Sequence, residues 1–163
     1  MVSFWSAVAR GAAAGAAGTT ALNAVTYLDM ALRGRPASST PEQTVGKLTE
    51  AAGTQVPGDD ETRSNRLAGL GPLTGLATGV GVGVLAGLLA RGTGLRTPAL
   101  GALVGAAAMA GSNGPMTALG ITDPRTWSAA DWVSDVVPHL AYGLVTAAVA
   151  RGLVRQVPQV SSR

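Results

Sequence analysis

The sequence predicts an all-α fold, a polytopic membrane protein whose four transmembrane helices pack through glycine ladders, with a short amphipathic helix in the long loop between helices 1 and 2. Three observations carry this expectation. Residues 67–90, LAGLGPLTGLATGVGVGVLAGLLA, hold no charge, and as a helix they would be about 36 Å long, enough to cross a bilayer. Within that run Gly71, Gly75, Gly79, Gly83 and Gly87 recur at every fourth position. Four residues advance a helix by about 400°, so the row leans about 40° per step and makes an inclined stripe without side chains, on which another helix can lie. Finally, 47% of residues are hydrophobic, 13% charged and only 4% aromatic, where a soluble domain carries about 25% charge. The apolar content is therefore Ala, Leu, Val and Gly, as expected where close backbone approach must replace the hydrophobic drive that lipid does not supply.

In chain order, the first span covers about 8–30. Arg10 and Asp29 bracket it at the two interfaces, with Phe4 and Trp5 in the aromatic belt. Gly11, Gly15, Thr19 and Asn23 repeat the four-residue spacing and predict a small, mildly polar stripe facing the glycines of the second span. The start lacks a basic region ahead of its apolar run, so a retained helix is expected rather than a cleaved signal. The polar loop 33–66 should hold a surface helix starting at Ser39 or Thr40 before Pro41 and Glu42, with Val45, Leu48 and Ala51 or Ala52 on one face. Beyond it, Pro57, Gly58 and the acids Asp59, Asp60 and Glu61 predict an irregular loop; those acids lack the alternating spacing of a calcium site.

The second span is 67–90 and the third 98–119, where Gly101 and Gly105 restart the spacing and SerAsnGlyPro at 112–115 should loosen the far end. Trp127 and Trp132 suit an interface, Ser128 with Asp131 reads as a helix start, and the fourth span is about 136–154 with Pro138 in its first turn. At an offset of ninety, Gly11, Gly15 and Asn23 fall on Gly101, Gly105 and Asn113, the pattern of two parallel hairpins. One side of the membrane then holds Arg10, Arg91, Arg96, Arg151, Arg155 and Arg163 with no acid, and the other holds all the acids. Positive charge beside short loops marks the cytoplasmic side, which places both termini there.

Several functions are excluded. Without cysteine there is no disulfide, thiolate metal site or Cys nucleophile, and a single histidine cannot build a multi-histidine metal site. No phosphate-cradling loop or nucleophile elbow is present, and the cations stand singly rather than as a nucleic-acid footprint. No cofactor, metal or catalytic residue is expected; the expected partners are the bilayer and a second copy or another membrane protein. One constellation stands out: Asp131, Asp135 and His139 lie four apart, and Asp29 ends the first span on the same side, with Tyr27 and Asn113 as hydrogen-bond partners. It reads either as a proton- or cation-sensitive site of a small channel or transporter, through Asp29, Asp135 and His139, or as local pairing in a non-enzymatic scaffold, accessory subunit or homo-oligomer.

A glycine-rich first helix, a loop with ArgGlyArgPro and SerSerThrPro, a span ending in LeuGlyIleThrAspPro and a last helix opening into HisLeuAlaTyrGly resemble the uncharacterised YagU-like bacterial inner-membrane proteins. The chain has fewer aromatics and a different loop. The resemblance implies a plasma-membrane protein with no assigned reaction.

Overall fold

The computed structural model describes residues 4–155, without the side chains of 91–92 and 153–155. Arg163, and the side chains of Arg91 and Arg155, lie outside the described residues, and with them that part of the charge comparison. Five α-helices follow one another: α1 (Phe4–Arg33), α2 (Thr40–Ala51), α3 (Asp60–Gly92), α4 (Thr97–Ala118) and α5 (Ala129–Arg155), with a 3-10 turn at Pro124–Thr126. No strand occurs among the described residues. By length and composition, α3 from Asp60 to Ala90 and α5 from Ala129 to Gly152 are apolar enough to cross a membrane. In α1 and α4, Gly, Ala, Ser and Thr stand where large aliphatics would be, so apolarity alone does not establish four spans.

The acidic stretch after Gly58 is helix, not loop. Asp59 accepts the Thr62 N–H at 2.8 Å and caps α3, while Asp60 and Glu61 lie in its first turn, where negative charge suits the helix dipole. Gly58, at φ +115°, supplies the left-handed residue that turns the chain into this cap. The prolines also break less than expected. α4 runs through Pro115 to Ala118, and α5 begins at Ala129, so Pro138 falls well inside the helix rather than in its first turn. Each proline lacks one amide hydrogen and so leaves one carbonyl without its usual partner, a defect these two helices absorb without ending.

Helix α1 lies antiparallel against both α3 and α5, α4 pairs with α5, and α2 rests on α3. The α1–α3 contact is backbone on backbone. A Cβ built on Gly11 would stand 2.6 Å from Val84 Cα, and one on Gly15 would stand 2.5 Å from the Gly79 carbonyl. On the α3 side, a Cβ on Gly83 would meet Gly15 N at 2.5 Å, and one on Gly87 would meet Gly11 Cα at 2.7 Å. The row of five glycines in α3 does not form one groove. Gly71 faces Pro41 and Glu42 of α2, a Cβ on Gly75 meets nothing, and Gly79 faces Thr19 of α1. The 40° lean per step is the reason, since sixteen residues of drift turn Gly71 roughly 160° away from Gly87, farther than one straight partner helix can follow.

The second hairpin repeats this contact. A Cβ on Gly101 would lie 2.9 Å from Leu144 Cα and 3.2 Å from the Gly143 carbonyl, matching Gly11 against Val84 and Gly83. One on Gly105 would lie 2.6 Å from the His139 carbonyl, as Gly15 does against Gly79. Equivalent positions differ by ninety between α1 and α4 and by sixty between α3 and α5, so the first connection is the longer by thirty and holds α2. Where α1 crosses α5, Gly18 abuts Tyr142 and Thr146; at the same offsets Ala108, Val82 and Ala86 join the core between α4 and α3.

Candidate functional site

The ionisable residues singled out in the sequence fall into separate groups. At the end of α1, Asp29 pairs with Arg33 at 2.7 Å and with Arg35 at 2.5 Å. Ser134 of α5 joins that pair, bonding the Arg33 guanidinium and standing 3.5 Å from the Asp29 carboxylate. Asp131 is spent locally. Its carboxylate accepts from the Ser128 N–H at 2.9 Å and the Ser128 hydroxyl at 2.7 Å, while its own N–H donates to Ser128 Oγ at 3.2 Å, a reciprocal cap at the start of α5. The Ser128 bonds hold the Asp131 carboxyl below its usual range. Tyr27 points away, 63% exposed.

The remaining residues meet across α4 and α5. Asn113 Nδ2 donates to Asp135 Oδ2 at 2.7 Å. His139 Nδ1 lies 2.8 Å from the Asp135 main-chain carbonyl and 3.4 Å from its Oδ1. The opposite ring nitrogen, Nε2, stands 3.3 Å from Ser112 Oγ. A carbonyl can only accept, so Nδ1 carries a proton; in the neutral ring Nε2 then presents its lone pair to Ser112. The Ser112 hydroxyl also reaches the Met109 carbonyl at 3.1 Å, the usual resting bond of a helical serine. Among the described residues no bond joins Asp29 to Asp135 or His139, so the three-residue site expected from the sequence is divided between the α1–α5 and α4–α5 contacts. No group of His, Asp or Glu side chains suited to a metal occurs among the described residues.

Sequence reasoning missed Ser112, Ser134, Tyr142, Gly18 and Gly143. Tyr142 is buried in the bundle centre, and its hydroxyl donates to the Gly79 carbonyl of α3 at 2.5 Å. Gly143, against Gly105 N at 2.5 Å, has the one available signal, because Gly143 and Ala147 continue the small-residue spacing. Ser112 and His139 are twenty-seven residues apart on different helices, and no local period links them.

No relative is found. Neither a protein-family model, nor a curated protein, nor a solved structure matches this chain. Function rests on the geometry alone.

Proposed function

We propose that this chain is an integral membrane protein of four spans, about 8–30, 67–90, 98–119 and 136–154, acting through helix packing as a scaffold, accessory subunit or homo-oligomer. In this reading both termini lie on the cytoplasmic face of a bacterial plasma membrane, in keeping with the resemblance to the YagU-like proteins.

One observation carries it. Many large aliphatics face outward, with Leu73 58%, Leu85 60% and Leu103 52% exposed, while the closest helix contacts are made by glycine and only a few large side chains, Leu100, Val104 and Tyr142 among them, are buried between the helices. A helical bundle in water buries its leucines, because that burial is its main source of stability. Lipid removes that drive and rewards close backbone contact. α1 and α4 bury their glycine stripes against α3 and α5, the two that qualify as spans by length and composition. Asp29 is neutralised by two arginines at an interface and is not left for transport.

The absence of native cysteine makes the topology directly testable. Single cysteines at Gly58, Gly94 and Gly120 would be exposed in whole cells to a maleimide that cannot cross membranes. Gly58 and Gly120 should react from outside, and Gly94 only after permeabilisation. The reverse pattern would overturn the orientation, and opposite sidedness of Gly58 and Gly120 would overturn the four spans.

A further inference from the structure

The equivalence of the two hairpins isolates the polar group of the second. Ser112, Asp135 and His139 occupy the positions that Leu22, Gly75 and Gly79 hold in the first, and the first hairpin makes the same backbone contacts without them. Packing therefore does not demand a hydroxyl, a carboxylate and an imidazole at this place. Polar side chains at membrane depth are costly, so three joined where the fold does not need them point to chemistry.

The geometry points to a nucleophilic site for carboxylic esters, with Ser112 as nucleophile, His139 as general base and Asp135 as the residue that positions the ring. Ser112 Oγ lies 3.3 Å from His139 Nε2, just beyond ideal proton-transfer distance, as is common before substrate binds. Nδ1 is held by the Asp135 carbonyl at 2.8 Å, with Oδ1 at 3.4 Å, which fixes the tautomer whose Nε2 can accept a proton. Asn113 binds the same carboxylate through an amide hydrogen and so steadies Asp135. Ser112 and His139 are each only half-buried, so the pair is reached from the surface of the α4–α5 contact.

The step balances without a cofactor. Ser112 Oγ forms a bond to the ester carbon as its proton passes to Nε2, and the carbonyl π pair moves to the oxygen. Collapse of that adduct breaks the bond to the alkoxide, which takes the proton from Nε2 and leaves as the alcohol. Water then attacks the acyl-serine, gives its proton to Nε2, and releases the acid as the proton returns to Ser112. The net change is ester and water to acid and alcohol. The substrate class rests on the membrane reading above. In that reading the fourth span begins at about 136, so His139 is three residues, about 4.5 Å, inside it and lies close under the boundary where lipid ester carbonyls meet the acyl chains. An acyl ester of a bilayer lipid is therefore the substrate assigned.

The test is a fluorophosphonate probe on the full chain in detergent, with the modified residue located by mass spectrometry; it does not depend on the number of spans. Labelling at Ser112 is expected, abolished in Ser112→Ala and slowed about 100-fold or more in His139→Gln and Asp135→Asn. Ser112→Ala should elute and melt as wild type, because the equivalent position in the first hairpin is Leu22. Absence of label on wild-type Ser112, or a labelling rate indifferent to His139→Gln in a protein that still elutes as wild type, overturns the nucleophile. Phosphatidylglycerol vesicles containing the protein should release free fatty acid. Hydrolysis of p-nitrophenyl butyrate in detergent with no release from vesicles overturns the lipid assignment while leaving the nucleophile in place.

Discussion

Replacing Gly83 by alanine adds one methyl group where two helices touch. Its Cβ would stand 2.5 Å from Gly15 N and 2.6 Å from the Gly11 carbonyl, and both are backbone, which cannot swing aside as a long side chain can. Ordinary contact begins at 3.4 Å, and Gly15 Cα stands nearer still, so α1 and α3 must separate by at least about 0.9 Å, the difference between 3.4 and 2.5 Å. A gap of that size forfeits roughly a quarter to a half of the dispersion attraction of the flanking atoms, and overpacking of this kind costs about 1–3 kcal/mol. Gly81, two residues earlier on the same helix, is the control, because a Cβ there meets nothing within 4 Å. Both alanines gain the same helix propensity, about 1 kcal/mol over glycine, so the difference between the variants isolates the contact. In detergent, monitored by thermal unfolding of the purified full chain, Gly81→Ala should melt at or above wild type and Gly83→Ala below Gly81→Ala by the equivalent of about 1–3 kcal/mol. Equal midpoints for the two variants would mean that α1 does not rest on this face of α3.

Two further outcomes follow from the hydrogen bonds. Tyr142→Phe keeps the ring in the centre of the bundle but removes the bond to the Gly79 carbonyl, at a cost of about 0.5–1.5 kcal/mol, and an unchanged melting temperature would show that the hydroxyl is not held there. Acid should loosen the turns and helix starts that carboxylates cap. The Thr62 bonds lower the carboxyl pKa of Asp59, Arg125 lowers that of Asp123, and Ser128 lowers that of Asp131. A lowered folded-state value means that the contribution is complete above the unfolded pKa of about 3.9 and is lost as pH falls through the folded one. Thermal midpoints should therefore be flat in this respect from pH 7 to about 5 and fall below about pH 4. In Asp59→Asn, Asp123→Asn and Asp131→Asn combined, that acid-side fall should shrink, and a fall of undiminished size would place the titrating groups elsewhere.

The long helices were legible because their evidence is local. An uncharged run of 24 residues and a glycine at every fourth position need no knowledge of the partner. The same locality explains what was lost. Asp59, Asp60 and Glu61 suggest a solvated loop until Asp59 is seen to cap Thr62, which makes the acids the first turn of α3. The glycine row looks continuous along the chain, yet its lean divides it between α2 at Gly71 and α1 at Gly79 to Gly87. His139 and Asp135 were visible as a helical pair, whereas Ser112 entered only when α4 was laid against α5. Asp29 lies at the same end of the bundle, beside Ser134, but Arg35, beyond the helix end, turns back to claim it with Arg33. Pro138 falls inside its helix rather than in the expected first turn because α5 already begins at Ala129.

On each contact glycine, a hydrogen takes the direction that Cβ would have. On Gly15 it is aimed at the Gly79 carbonyl, which an ideal Cβ would approach to 2.5 Å; on Gly105 it is aimed at the His139 carbonyl, at 2.6 Å; and Gly11 and Gly83 point at each other's carbonyls, at 2.7 and 2.6 Å. These are positions for Cα–H···O=C bonds, each worth about 0.5–1 kcal/mol. Glycine and alanine lose no rotamer freedom on burial, whereas each buried leucine loses about 0.5–1 kcal/mol of it. At these glycine contacts the two hairpins therefore close on directional main-chain interactions that fix their register, and the entropy cost of ordering side chains falls instead on the few large ones buried beside them, Leu100, Val104 and Tyr142.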